Sequence, residues 1–239
     1  MNNQQKRAGQ STREMAAKRH KNRIWYAIIS VVIVLLIAVI ALNPKLLKAG
    51  SIASIGLLLV ARVFMNYTDA VDRRMRKEEK RAIRGAKGEE KIGSILDGLG
   101  EDYLIIHDIE SPYGNIDHIV ISKQSGVFLL ETKAHGGRVS VNDGHLLVNG
   151  HNPEKDFIAQ ALNNTYWLKE TIGNTINIQV WISPIVVFTN AFVERTAPIK
   201  GVTIINKRFL LNILQRSNAK SQNSAIWESR DKILKTLRG

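Results

Sequence analysis

The chain contains no cysteine, which rules out a disulfide framework and any thiolate metal site. That absence leaves the compartment open, since a reducing cytosol and a cysteine-poor exterior both permit it. A phosphate-cradling loop is also lacking: Gly85 to Lys91 reads GAKGEEK, without the Lys-Ser/Thr pair of a P-loop. The six histidines are scattered and form neither an HExxH motif nor a tight ligand pair. His107, His118, His135, His145 and His151 therefore read as structural or exposed side chains. No internal repeat is visible.

Acidic residues are scarce in one region only. Residues 1–81 hold 16 Lys+Arg against 5 Asp+Glu, whereas residues 82–239 hold 18 against 16. The net charge of +13 is thus concentrated in the N-terminal third, where it brackets an apolar segment. Juxtamembrane basic residues are drawn to anionic lipid and mark the cytoplasmic side, so the high pI points to a membrane more than to DNA.

The segment IWYAIISVVIVLLIAVIAL, Ile24 to Leu42, runs 19 residues without a charge. At about 1.5 Å per residue it matches a hydrocarbon core of ~30 Å, and Trp25 and Tyr26 sit where interfacial aromatics belong. A signal peptide fits poorly, because the stretch is too long and no small-x-small cleavage site follows. Asn43 to Lys45 (NPK) breaks the helix. A second apolar run, Ala49 to Ala61, extends to Met65 if Arg62 snorkels, and carries small residues suited to helix packing in lipid (Gly50, Ser51, Ala53, Ser54, Gly56). Its uninterrupted core of 13 residues is short, so an interfacial segment is the alternative. The expectation is a transmembrane hairpin over residues 24–65, with spans at 24–42 and about 46–65. Such a hairpin puts both basic clusters, Lys18 to Arg23 and Arg73 to Arg81, on the cytoplasmic face. The chain is thus expected to be a multi-pass cell-membrane protein, partnered by lipid through two transmembrane segments, with its soluble part in the cytoplasm.

Residues 66–84 read as a charged helical stalk. The helix then turns amphipathic, with Ile92, Ile95, Leu96 and Leu99 on one stripe. Glu89 falls on that stripe, while Glu90 is rotated roughly 100° towards water. Strands are expected at Tyr103–Ile109, Ile116–Ile121 and Val127–Thr132. A hairpin follows at Arg138–Val141 and His145–Val148, around Asn142-Asp143-Gly144. Asn152 reads as the N-cap of a helix with Pro153 at its first position and Phe157, Ala161, Leu168 and Ile172 as its apolar stripe. Gln160 lies at the edge of that stripe. Val180–Phe188 and Val202–Asn206 read as strands and Lys207–Gln215 as a helix. A polar linker and a weakly amphipathic helix close the chain over residues 217–239. This order argues for an α/β fold with a mixed central β-sheet flanked by helices.

Three charges interrupt this apolar pattern. In GNIDHIVISKQSGVFLLETK, Gly114 to Lys133, Asp117 interrupts one strand and Glu131 and Lys133 close the next. Strand alternation places Glu131 and Lys133 on one face, ~6–7 Å apart along the chain. Pairing Ser122 with Gly126 sets Asp117 opposite Glu131, whereas a slip of one residue moves Asp117 to the other face. Odd-numbered residues of both strands would then share one side, with Ile119, Ile121, Val127 and Leu129 as its packing. Two carboxylates in a partly dry site repel, so one protonates or a cation sits between them. Oxygen ligation favours Mg2+ or Mn2+. Lys133 beside such a metal suits stabilisation of a phosphorane-like transition state. A surface Glu–Lys pair at a strand end is the bland alternative. Trp167, Trp181 and Trp227 could stack on bases, though core or interface packing is their commoner role.

An acidic helix residue, an Asp on one strand, ExK on the next and a Gln on the following helix together resemble the PD-(D/E)xK nuclease superfamily. GAKGEEKI, GNIDHIVIS…GVFLLETKAHGG and NP…Q resemble its nuclease-related (NERD) domain, over roughly Gly85 to Gln215. Ile116 stands where the superfamily has proline. The resemblance implies a restriction-endonuclease-like core over residues 85–216. It further implies metal ligands Asp117 and Glu131 with the Thr132 carbonyl, a catalytic Lys133, a helix acid Glu89 and a helix glutamine Gln160. It makes the chain a membrane-anchored, Mg2+- or Mn2+-dependent endonuclease acting on DNA, or alternatively RNA, at the cytoplasmic face. The competing expectations are a catalytically silent module of the same fold tethering nucleic acid or a protein partner, and a membrane scaffold whose charges are structural.

Overall fold

The computed structural model describes residues 6–41, 51–194, 197–216 and 222–239. They form two compact units, one holding residues 84–239 with the N-terminal residues through Ser11, the other Thr12–Ile83.

The smaller unit is built from two helices, α1 (Gln10–Ala41) and the first part of α2 (Ser51–Leu96). Arg19 Nη1 donates to the Glu78 carbonyl at 3.1 Å, and Arg23 Nε lies 3.1 Å from Glu79 Oε2 and Nη1 4.0 Å from Asp72 Oδ1. These contacts pair the charged ends of the two helices. Among the described residues only α1 is long and apolar enough to cross a membrane, with a mean hydropathy of 2.6 over its best window. The expected two-span hairpin is corrected accordingly. The second apolar run does not form a helix of its own; it is the start of a 46-residue helix that continues through Arg62 into the charged stalk. Its apolar stretch is too short to match the hydrocarbon thickness. The expected break at Asn43–Lys45 lies outside the described residues.

The larger unit is a six-stranded mixed sheet in the order β1-β2-β3-β5-β6, with β4 pairing β3. Its strands are β1 (Tyr103–Ser111), β2 (Gly114–Ser122), β3 (Gly126–Asn142), β4 (His145–Val148), β5 (Ile182–Val193) and β6 (Thr203–Asn206). Helix α3 spans Phe157–Ile176 between β4 and β5. A 3-10 turn at Lys207–Phe209 leads into α4 (Leu210–Leu214), and α5 (Gln222–Glu228) and α6 (Arg230–Arg238) end the chain. The expected polar linker lies partly outside the described residues; from residue 222 on the chain is helical.

Alternation of side chains gives the sheet two apolar faces. Ile119, Ile121, Val127 and Leu129 pack against Leu168 and Ile172 of α3 and against Ile226 and Ile233 of α5 and α6. Val120, Phe128 and Leu130 pack on the other face against Ile92 and Leu96 of α2 and against Leu210 and Leu214 of α4. The β2–β3 ladder runs from Ser122↔Gly126 to His118↔Leu130, which is the register expected from the sequence. Trp167 and Trp227 lean on the first core, while Trp181 is exposed.

Two local readings are corrected. Asn152 does not cap α3: Asp156 does, accepting from Ile158 N and Ala159 N at 3.0 Å each, and Pro153 lies in the preceding loop. A carboxylate four residues closer to the first buried residue, Phe157, outcompetes the earlier Asn. The strand ending at Thr132 also does not stop there. It runs on through a register shift between Lys133 and Gly136 to become the first arm of the hairpin with β4. At Gly137, φ is +89° and an added Cβ would meet Asn149 Oδ1, so this bend admits only glycine.

His107 and His118 pair across β1 and β2, with Nδ1 atoms 2.8 Å apart and His107 Nε2 3.4 Å from Asp97 Oδ1. Both rings are buried. Burial holds both pKa values down, well down for His118, where His107 adds to the effect; for His107, Asp97 and Asp108 oppose the lowering and Arg238 adds to it. A histidine kept neutral in the folded state contributes stability above its unfolded pKa of about 6.5 that is lost as pH falls below it. Thermal unfolding of the full chain in detergent will therefore show a Tm that drops between pH 7 and pH 5. In His107→Gln that slope will flatten; an equally steep slope would show that other groups set it.

Candidate metal and phosphodiester site

The sequence-selected residues gather where β2 and β3 separate. Glu131 and Lys133 occupy alternate positions of β3 and face α3. Lys133 Nζ donates to Glu131 Oε1 at 2.6 Å and to Gln160 Oε1 at 3.1 Å. Glu131 is 2 % exposed, so this is an ion pair in a dry environment. Phe157 lies one helical turn before Gln160 on α3, and Lys133 Nζ sits 4.5 Å from its ring centroid. The ring walls the ammonium off from water and stabilises its charge.

Asp117 stands one step beyond the last β2–β3 pair, His118↔Leu130, where the ladder ends. Its Oδ2 accepts from Thr132 N at 2.6 Å. It does not follow the alternation of the rest of β2. Ile116 and Ile119, three residues apart, both lie in the core beneath α3. The facing strand breaks at the same row: Asp108 has φ of +57°, between His107↔His118 and Ile109↔Ile116. Asp108 is anchored by Asn115 Nδ2 at 2.9 Å and by the Ser11 amide and hydroxyl at 2.9 and 2.5 Å. At this row Asp117 meets the Thr132 amide of β3 and feels the charge of Glu89 on α2.

Glu89 approaches from α2, close enough for its charge to act on Asp117. The helix reaches the sheet because Gly88 has no side chain: a Cβ there would stand 3.0 Å from Ala134 Cβ and 3.6 Å from Thr132 Cγ2. Glu89 and Glu90 are both half-buried, so the expected contrast between an inward Glu89 and a solvated Glu90 is not seen.

Burial raises the Asp117 pKa well above the ordinary carboxylate range, and the charges of Glu131 and Glu89 raise it further against Lys133 and the Thr132 amide. Burial raises Glu131 as well, opposed by Lys133, Lys155 and Gln160. Glu131 Oε2 is buried without a hydrogen-bond partner. Two repelling carboxyl groups and an orphaned anionic oxygen describe a place for a cation, and an all-oxygen donor set suits a hard one. Among the described residues no group of three or more His, Asp or Glu converges for metal binding. The donors that fit are therefore two carboxylates, Asp117 and Glu131, with the Thr132 carbonyl beside them.

From the sequence Phe157 reads only as part of the apolar stripe, with no role at the site, and Lys155 is not singled out. Phe157 sits at i−3 from Gln160, so helical spacing could have found it; Lys155 acts from the loop before α3 and carries no local signal. His118 pairs with His107 across β1 and β2 and makes no hydrogen bond to the carboxylates.

The fold and this cluster define an α/β domain with an Asp…Glu-x-Lys constellation at the splayed end of a mixed sheet. Residues 84–189 match the family model of the nuclease-related domain, NERD, whose general kind is the PD-(D/E)xK superfamily. No curated protein and no solved structure matches the chain.

Proposed function

We propose that this nuclease-related domain is a metal-dependent phosphodiesterase acting on nucleic acid, DNA foremost, held at a membrane by α1. The observation that carries the reading is the buried Glu131–Lys133–Gln160 network with Asp117 hydrogen-bonded to the neighbouring Thr132 amide. Asp117, Glu131 and the Thr132 carbonyl would hold Mg2+ or Mn2+, which when bound supplies Lewis-acid polarisation of the phosphoryl oxygen and lowers the pKa of a bound water. Lys133 presents a fixed positive charge where negative charge gathers on phosphorus. Its orientation is set before substrate arrives by Gln160 and Phe157. Glu89 adds a third carboxylate from the opposite face of the sheet.

Membrane anchoring rests on the apolar length of α1 and on its flanking basic residues.

The test is cleavage of single-stranded, double-stranded and branched DNA, and of RNA, by the full chain in detergent with Mg2+ or Mn2+. The expected result is metal-dependent phosphodiester cleavage abolished by EDTA. Binding without cleavage, insensitive to Lys133→Ala, would replace this reading with a silent module that tethers nucleic acid.

A further inference from the structure

The geometry points to a second functional feature, which rests on the nucleic-acid reading: Lys91, Lys207 and Arg208 form a phosphate-binding cluster that holds the substrate backbone beside the candidate site. The sheet places it there. Strands β3, β5 and β6 are parallel, and the row Lys133–Phe188–Asn206 crosses all three, so Lys207 follows directly after the residue level with Lys133. β3 and β6 are two strand spacings apart, about 9–10 Å. That is about three nucleotide steps along one strand of a duplex, at 3.4 Å each.

The cluster is held by the fold. Asn206 Nδ2 donates to the Ala191 carbonyl at 2.7 Å and its Oδ1 accepts from Arg208 N at 3.0 Å, which fixes the turn where the chain leaves β6. The Arg208 guanidinium lies 4.7 Å from the Phe209 ring centroid. Ile92, the residue after Lys91, is buried with Leu210 and Leu214, and this packing brings Lys91 to the same patch. Lys91 lies near enough to Lys207 for its charge to act on it. Among the described residues neither ammonium group forms an ion pair with a carboxylate. Two cations in contact repel, and an anionic oxygen between them removes the repulsion, as a cation does for Asp117 and Glu131. The Lys207 pKa is lowered, chiefly by its contact with Lys91, in keeping with this strain. A nucleic-acid phosphate is favoured over a lipid headgroup because the cluster adjoins the sheet row that carries Lys133.

The experiment is fluorescence anisotropy of a labelled oligonucleotide with the full chain in zwitterionic detergent and EDTA, across a salt series. In Lys91→Glu/Lys207→Glu, affinity will fall tenfold or more and the slope of log K against log salt will shrink by about 2. Lys91→Gln/Lys207→Gln will show an intermediate loss. Lys123→Glu/Lys235→Glu, a charge reversal elsewhere on the domain, will change affinity less than threefold. Wild-type binding that the Lys91/Lys207 reversal leaves unchanged would overturn the cluster while leaving the nuclease reading intact. So would a loss confined to anionic lipid vesicles. Failure of the wild-type chain to bind any oligonucleotide would overturn the nucleic-acid reading and the cluster with it.

Discussion

Lys133→Ala will abolish cleavage and will also destabilise the domain by about 3–5 kcal/mol, the range seen when one partner of a buried ion pair is removed. Most residues assigned to chemistry can be truncated at little structural cost, so the combined loss is diagnostic. It arises because Glu131 is buried and its Oε1 depends on Lys133 Nζ at 2.6 Å, while its Oε2 has no partner. Removing the ammonium leaves an anion in an apolar surround and also strips Gln160 and the Phe157 ring of their cation. Chemical denaturation of the full chain in detergent, followed through the domain's transition, measures the stability term. Glu131→Gln/Lys133→Met will recover most of the stability and none of the activity, because the charge has left with its partner. A loss of stability below 1 kcal/mol in Lys133→Ala would mean that Glu131 is solvated, and the dry ion pair would have to be abandoned.

Asp117→Asn moves stability the other way. Without metal, this carboxyl faces Glu131 and Glu89, and burial adds to the cost of its charge. Asparagine keeps an acceptor for the Thr132 amide, now met at 2.6 Å by Oδ2, while removing the charge. The metal-free protein will gain about 1 kcal/mol, roughly 2–4 °C in Tm for a domain of this size. Mg2+ or Mn2+ will stabilise the wild-type chain in proportion to RT ln(1 + [L]/Kd) and will leave the variant's Tm unmoved. Cleavage will fall by about a hundredfold or more, the scale of losing a principal electrostatic element of a site. Differential scanning fluorimetry with and without metal, run beside a cleavage assay, reads all three effects. An Asp117→Asn variant that melts lower than wild type, or cleaves as well, would show that Asp117 is a structural acceptor only. Lys133→Ala and Asp117→Asn thus separate the two halves of the site: one removes a needed counter-charge, the other a surplus like charge.

Much of this site was readable along the chain because strand geometry is local. Alternation alone puts Glu131 and Lys133 on one face, and the apolar residues at 119, 121, 127 and 129 favour a single β2–β3 register, since a slip of one would turn them all to the opposite face. Helical spacing likewise marks Phe157, Ala161, Leu168 and Ile172 as the buried stripe of α3, and the amphipathic turn of α2 places Ile92 and Leu96 in the core. Charge asymmetry and one long apolar run mark α1 as the segment suited to a membrane.

Tertiary structure decided the rest. The ladder breaks beside Asp117 at the left-handed Asp108, and Asp108 is held by Asn115 and by Ser11, 97 residues away. No window of sequence contains those three groups. The approach of Glu89 depends on Gly88 meeting Ala134 and Thr132 of a strand more than forty residues on. The contact of Gln160 with Lys133 requires α3 to lie across β3, and the bend after Lys133 depends on pairing with β5. The juxtaposition of Lys91 with Lys207 follows from a shared core beneath α2 and α4. Local propensity and periodicity determined which faces are buried and which residues share them, because those depend on backbone geometry over a few residues. Where the carboxylates and ammonium groups meet was decided by long-range packing, because electrostatic partners are brought together by elements that the chain order keeps far apart.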